Sequence, residues 1–119
     1  KDELIGLEVN MRPSGGISPD MMNFSQSTDV YKIWADMIAY DSSLRGIGQT
    51  AFCAFAGRRD GKNFVMSDGD VMHKYGANMK MSGRVADALS GAMGNQMYIA
   101  NFNRKEEMDA FYNDVLACR

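Results

Sequence analysis

Three side chains near the start of the sequence, Glu8, Asn10 and Arg12, are of types that bind metal ions and phosphates. Carboxylate and amide oxygens suit Mg²⁺, which usually takes one or two protein carboxylates together with the phosphates of a substrate. An arginine fork fits a phosphate or a carboxylate, and Gly15 and Gly16 leave room for backbone to approach a ligand. Residue types alone favour a simpler alternative, a polar strand face that leads into a loop, because short motifs often arise by chance.

The three polar side chains share one face of a predicted strand. Side chains alternate across a strand, and the opposite face is apolar, with Ile5, Leu7, Val9 and Met11. The strand would therefore be half buried and would present acid, amide and guanidinium in a row.

Two helices are predicted after the glycines. Ser18 has the properties of a helix N-cap and Pro19 those of a first helical residue. A longer helix follows, with Ser27 or Thr28 as its expected cap. Its apolar residues recur at a spacing of three and four, which predicts a face packed on the core with Trp34 as an anchor.

The rest of the chain alternates between strand and helix patterns. We expect strands over 50–56, 63–66, 78–85 and 96–102, helices over 71–75 and 86–93, and a last helix capped by Asn103. Ser67 is the expected cap of the helix over 71–75. This order is typical of an α+β fold, a mixed or antiparallel sheet with helices packed on one face. We expect two parts, residues 1–43 and residues 44–119, which can form a single compact unit.

The first two strands of the second part are expected to form a hairpin. Asp60 and Gly61 readily adopt the positive φ angles of a type I′ turn. The neighbouring cations Arg58, Arg59 and Lys62 could bind an anion. An exposed hairpin tip is the favoured interpretation, because such side chains are mostly solvated.

The composition describes an ordinary folded domain. The chain has 119 residues, 45% hydrophobic and 24% charged, so we expect one domain with a real core. A net charge of −2 gives no basic footprint for nucleic acid, and no apolar run approaches the roughly 18 residues of a membrane span. Cys53 and Cys118 lack metal-ligand spacing and indicate two reduced thiols of a cytoplasmic protein, with a disulfide less favoured.

Two features of the sequence indicate contact with further polypeptide. The chain starts without methionine and enters a predicted strand almost at once, as expected of a segment cut from a larger domain. It also contains 11 methionines, a residue that fills cores and lines adaptable contact surfaces. A place in the core is favoured for these methionines, and a surface that meets another part of a larger protein, or a second copy in a homodimer, is the alternative.

Residues 7–16 resemble the closing motif of the ATP-grasp superfamily of ligases, which includes carboxylate–amine ligases, biotin carboxylase and the large subunit of carbamoyl-phosphate synthase. The last catalytic strand of these enzymes carries Glu-x-Asn-x-Arg, often followed by proline and a glycine-rich loop. Residues 20–24 and 29–35 are similar to the segment that follows in uncharacterised ATP-grasp ligases, and residues 57–62 are similar to part of their C-terminal extension.

The resemblance implies a role for each residue of the motif. Glu8 would bridge magnesium ions, and Asn10 would complete their coordination. Arg12 would act in catalysis by binding the acceptor carboxylate or the acyl-phosphate formed from it. Gly15 and Gly16 would shape the acceptor side of the pocket. Mg²⁺ and ATP are the implied cofactors, and a small carboxylate and an amine are the implied substrates.

The resemblance also implies that much of the site lies elsewhere. An ATP-grasp site uses a lysine, a loop over the phosphates, hinge residues for adenine and an acidic metal ligand, all on earlier parts of the chain. We therefore expect a C-terminal segment that is inactive alone and has the remainder of the ligase as its partner. Two alternatives stay open: a non-catalytic α+β docking or oligomerisation module, and an autonomous anion-binding domain that uses Arg12, Gly15 and Gly16.

Overall fold

A computed structural model describes residues 14–119 and has an α+β fold, as the sequence predicts. It contains five helices and three strands within those residues. Their order is α1 (Ser18–Gln26), α2 (Val30–Tyr40), β1 (Phe52–Arg58), α3 (Asp68–Tyr75), β2 (Met79–Arg84), α4 (Asp87–Met93), β3 (Gln96–Phe102) and α5 (Lys105–Leu116). The boundary expected near residue 43 lies in a stretch without helix or strand, and the division into two parts stays a prediction.

The sheet is antiparallel, with β3 between β1 and β2. Phe52 lies opposite Phe102 and Arg58 lies opposite Gln96, so β1 pairs with β3 along its whole length. Residues 63–66 form no strand beside β1, so the hairpin expected between them is wrong. A turn at Gly61 does form, with φ of 81°, but it leads to a single bridge between Phe64 and Cys118.

The core lies between one face of the sheet and helices α3 and α5. Small side chains at Ala54, Ala56 and Ala100 give this face a flat centre, which leaves space for the bulky residues of the helices. Phe111 of α5 is fully buried, and its ring lies 5.1 Å from the Tyr75 ring in an edge-to-face contact. Such aromatic pairs add stability beyond the apolar area that they bury.

Helices contact both faces of the sheet, which differs from the single covered face expected from the sequence. Asn101 follows Ala100 in β3 and so points to the opposite face, where its Nδ2 donates a 2.6 Å hydrogen bond to the Phe24 carbonyl of α1. On that same face a Cβ at Gly57 would lie 2.0 Å from the carbonyl oxygen of Met93, at the end of α4. Glycine at position 57 is what permits this close approach.

The helix caps agree with the sequence at α3 and differ at α1, α2 and α5. Ser67 caps α3 in a reciprocal arrangement with Asp70, as expected. Asp29 caps α2, whereas the hydroxyls of Ser27 and Thr28 donate to carbonyl groups of the following loop. Helix α1 begins at Ser18 with Ile17 in the cap position, and Arg104, not Asn103, precedes α5.

Helix α2 has no buried residue among those that the structure describes, although its sequence is strongly apolar. Trp34 is 39% exposed and Ile38 is 71% exposed, so the expected core anchor at Trp34 is wrong. Within residues 14–119, no helix is both long and apolar enough to cross a membrane.

Candidate functional site

Of the predicted site residues, the structure describes Gly15 and Gly16, whereas Glu8, Asn10 and Arg12 lie outside the described residues. Both glycines are exposed, and a Cβ at either position would meet no atom within 4 Å. Gly16 has φ of 65°, a conformation that L side chains rarely adopt. The glycine loop therefore offers open backbone immediately before α1, and the geometry of the three polar side chains stays a prediction.

Helix α1 starts at this loop without a side-chain cap. Ile17 occupies the cap position, and its apolar side chain cannot accept a hydrogen bond from the first turn. The first N–H groups of a helix have no partner within the helix, and they favour negative charge. The turn that begins at Ser18 therefore suits an anionic group held next to the glycine loop.

The far end of α1 is tied to the segment that leads into β1. Ser25 Oγ donates a 2.7 Å hydrogen bond to the carbonyl of Ala51, and Ala51 N donates a 2.7 Å hydrogen bond back to the carbonyl of Ser25. Asn23 Oδ1 accepts a 2.7 Å hydrogen bond from Val30 N, which fixes the turn between α1 and α2. These contacts hold α1 against the sheet and α2 against α1, and so position the glycine loop.

An apolar groove of about 370 Å³ runs between α1 and α2, beside the glycine loop. Ser14 lies at the glycine end of the groove, and Met22 and Trp34 line its walls. Met22, Trp34 and Met37 are each about two-fifths exposed. This face of the helix pair is therefore apolar and uncovered within the described residues.

A second group of functional residues surrounds Arg58, which the sequence placed on an exposed hairpin tip. Arg58 is only 4% exposed, so that prediction is wrong. Its Nε donates to the carbonyl of Val115 at 2.8 Å, and its Nη1 donates to the carbonyl of Met66 at 2.9 Å and to Asp68 Oδ1 at 3.1 Å. The ring of Phe64 lies 4.5 Å from the guanidinium carbon and holds the fork in place.

The sequence does contain a signal for this burial. Positions 54, 56 and 58 share one face of β1, and Ala54 and Ala56 are core residues, so a strand that continues to Arg58 carries its side chain inwards. The predicted turn at 58–62 hid this signal, because it ended the strand two residues early.

The Tyr98 hydroxyl shares the Asp68 carboxylate with Arg58, since it also donates a hydrogen bond to Asp68 Oδ1. Two main effects raise the pKa of Tyr98 to about 12: burial, which is the larger, and the hydrogen bond to Asp68. Tyr98 therefore stays a neutral donor throughout the physiological range, and Asp68 Oδ1 accepts hydrogen bonds from both Arg58 and Tyr98.

Arg58 lies in the wall of a pocket of about 580 Å³ in which most of the charged side chains are cationic. Arg59, Lys62, Arg84 and Arg119 also line this pocket, and its two carboxylates are Asp60 and Asp68. Arg84 binds Asp60 through two hydrogen bonds of 2.7 and 2.5 Å, and this pairing lowers the pKa of Asp60. Side chains therefore give the pocket an excess of three positive charges.

Metal-binding and thiol chemistry have little basis in the part of the chain that the structure describes. No group of three or more His, Cys, Asp or Glu side chains lies close enough together there to hold a metal ion. Cys53 and Cys118 are free thiols, and burial raises the pKa of Cys53 and so disfavours its reactive thiolate. The metal role expected of Glu8 and Asn10 stays a prediction, because both residues lie outside the described residues.

Comparison with known proteins gives no relative: no family model, curated protein or solved structure matches this chain.

Proposed function

We propose that this chain is the C-terminal segment of an ATP-grasp ligase, which activates a carboxylate as an acyl-phosphate and joins it to an amine. The observation that carries the proposal is the order Glu8-x-Asn10-x-Arg12 followed by the open backbone of Gly15 and Gly16 at the uncapped start of α1. Metal ligands, an anion-binding fork and a glycine loop follow one another there, as the motif of the family requires.

The chemistry asks little of the protein beyond positioning and charge neutralisation. A carboxylate oxygen of the substrate attacks the terminal phosphorus of ATP and displaces ADP. The amine then attacks the acyl carbon and releases phosphate and a proton. Glu8 and Asn10 supply hard oxygen donors suited to Mg²⁺, which neutralises the phosphates when bound. Arg12 holds the acceptor carboxylate and then the acyl-phosphate, and Gly15 and Gly16 leave space for the acceptor.

The apolar face of α1 and α2 supports the idea that the rest of the ligase packs on this chain. A helix with this many apolar residues normally buries one face, but α2 buries none within residues 14–119. The groove that starts at Ser14 lies beside the predicted site, so the remainder of the ATP-grasp domain is the partner that would cover it.

The test is release of ADP by the longer polypeptide that contains this chain, assayed with Mg²⁺ and ATP against pairs of small carboxylates and amines. We expect release that depends on both substrates, and its loss in Glu8→Gln. The matched control is Glu106→Gln, which removes the same charge from the exposed first turn of α5. The chain of 119 residues alone should bind Mg–ATP weakly, since most of the nucleotide ligands lie elsewhere.

Two results would overturn the proposal. The first is full activity in Glu8→Gln, which would remove the metal role from Glu8. The second is absence of ADP release with every pair, from protein shown to be folded, together with micromolar binding of Mg–ATP by the 119-residue chain.

A non-catalytic docking module is the second candidate, and the exposed apolar face of α2 favours it. A second copy of this chain could cover Trp34, Met37 and Ile38 in a homodimer. Sedimentation of the longer polypeptide over a range of concentrations tests this candidate. A dimer that Ile38→Asp dissociates, in a protein without ADP release, would favour it over the ligase.

A further inference from the structure

The cationic pocket beside Arg58 is a site that the ligase proposal leaves unused. Its lining comes from the end of β1, the turn at 59–63, the start of α3, and Arg84 and Gln96 of the sheet. Gly15 and Gly16, the residues of the ATP-grasp motif that the structure describes, do not line it.

Burial of Arg58 is the first argument for a ligand. A buried guanidinium normally uses all its donors, because a buried N–H without an acceptor loses its hydration without compensation. Nη2 of Arg58 is buried and has no acceptor among the described residues. Its ion-pair partner Asp68 is two-thirds exposed, so solvent screens the carboxylate that balances the buried positive charge.

The exposed cations of the pocket are the second argument. Within residues 14–119, Lys62 and Arg119 form no ion pair, and Arg59 uses its guanidinium only for the carbonyl of Gly91. Three cations thus face the pocket without a carboxylate partner, although the chain as a whole is acidic. Like charges gathered around a concave surface raise the local concentration of an oppositely charged ligand.

The size of the pocket sets the class of ligand. A volume of about 580 Å³ falls within the range of small-molecule sites and far exceeds one inorganic ion. An excess of three positive charges suits a diphosphate better than a single carboxylate, and arginine forks fit phosphate oxygens with paired hydrogen bonds.

We propose that the cationic pocket formed by Arg58, Arg59, Lys62, Arg84 and Arg119 binds the diphosphate group of a phosphorylated metabolite. The diphosphate lies among the exposed cations and is drawn inwards by the buried charge of Arg58. Asp60 holds Arg84 at the rim, and Phe64 holds the plane of Arg58. No covalent step is involved.

The test is calorimetric titration of the full-length protein with sodium pyrophosphate in EDTA, which removes Mg²⁺ and so silences the proposed ligase site. We expect saturable binding that weakens as KCl is added. The double variant Lys62→Gln with Arg119→Gln should bind about tenfold more weakly. Neither side chain has a hydrogen-bond partner in the described residues, so this variant should keep the fold.

The control is Arg104→Gln with Lys105→Gln at the start of α5, which changes the net charge equally but lies outside the pocket. It should keep the affinity of the unaltered protein within about twofold. Succinate should bind much more weakly than pyrophosphate. Absence of saturable binding, equal weakening in the two double variants, or succinate bound as tightly as pyrophosphate would each overturn the proposal. Loss of ADP release in Glu8→Gln tests the ligase separately.

Discussion

The Nε atom of Arg58 donates a 2.8 Å hydrogen bond to the main-chain carbonyl of Val115, which joins the end of β1 to the last turn of α5. Val115 is itself fully buried, so this bond closes the core at one end. The charged side chain of Arg58 thereby fills a buried position that an apolar residue would ordinarily occupy. It also brings a positive charge to the pocket.

Replacement of Arg58 by methionine should destabilise the protein strongly. Methionine keeps much of the apolar stem, but the carbonyl groups of Val115 and Met66 lose their donors. We expect a loss of about 2–4 kcal/mol in the free energy of unfolding, because buried acceptors would be left without partners. Urea unfolding measures this change. Arg104→Met, at an exposed position, should change stability by less than about 0.5 kcal/mol.

Replacement of Gly57 by alanine should also be costly, for a steric reason. A Cβ at position 57 would lie 2.0 Å from the carbonyl oxygen of Met93, a main-chain atom that can move only if α4 moves. We expect a loss of about 1–3 kcal/mol. Gly83→Ala in β2 is the matched control, because its Cβ would meet no atom within 4 Å. Equal thermal midpoints for the two variants would contradict this account of the β1–α4 contact.

Alkaline pH should expose the environment of Tyr98. The folded state holds the pKa of Tyr98 at about 12, above its ordinary value of 10.0, so the unfolded chain releases this proton first. The stabilisation is complete below pH 10 and is lost as the pH rises towards 12. Stability measured by urea unfolding should therefore fall with pH over that window.

The matched variants for this pH dependence are Tyr98→Phe and Tyr40→Phe. Tyr98→Phe should make the fall in stability over that window shallower, because it removes the shifted group. Tyr40 is 74% exposed, and its replacement should leave the slope as it is. A slope that is the same in all three proteins would show that Tyr98 has its ordinary pKa in the folded state.

The sequence predicts those parts of the fold that depend on local pattern. The strand Gln96–Phe102 and the Ser67 cap of α3 were both expected, because alternation and capping are properties of neighbouring residues. The hairpin after β1 was wrong because the partner of a strand is decided by long-range packing. Phe52 pairs with Phe102, and no local turn chemistry encodes that choice.

The candidate sites show the same division. The resemblance to the ATP-grasp motif rests on residues within one short stretch of sequence, and both the family and its chemistry stay predictions. The cationic pocket joins Arg58 to Arg84 and Arg119 across the sheet, so its composition emerges only when the chain is folded. The prediction that Trp34 is a core anchor was wrong because an apolar pattern indicates that a helix face can be buried, but it does not identify the partner that buries it.

The position of β3 in the centre of the sheet has a consequence for synthesis of the protein. Strands β1 and β2 both emerge from the ribosome before β3, and they do not pair with each other. Each must wait as an unpaired edge until residues 96–102 appear, and such edges are prone to aggregation. Folding of this sheet therefore waits for synthesis of residues 96–102, and any break in the chain before residue 96 leaves it without the strand that joins the other two.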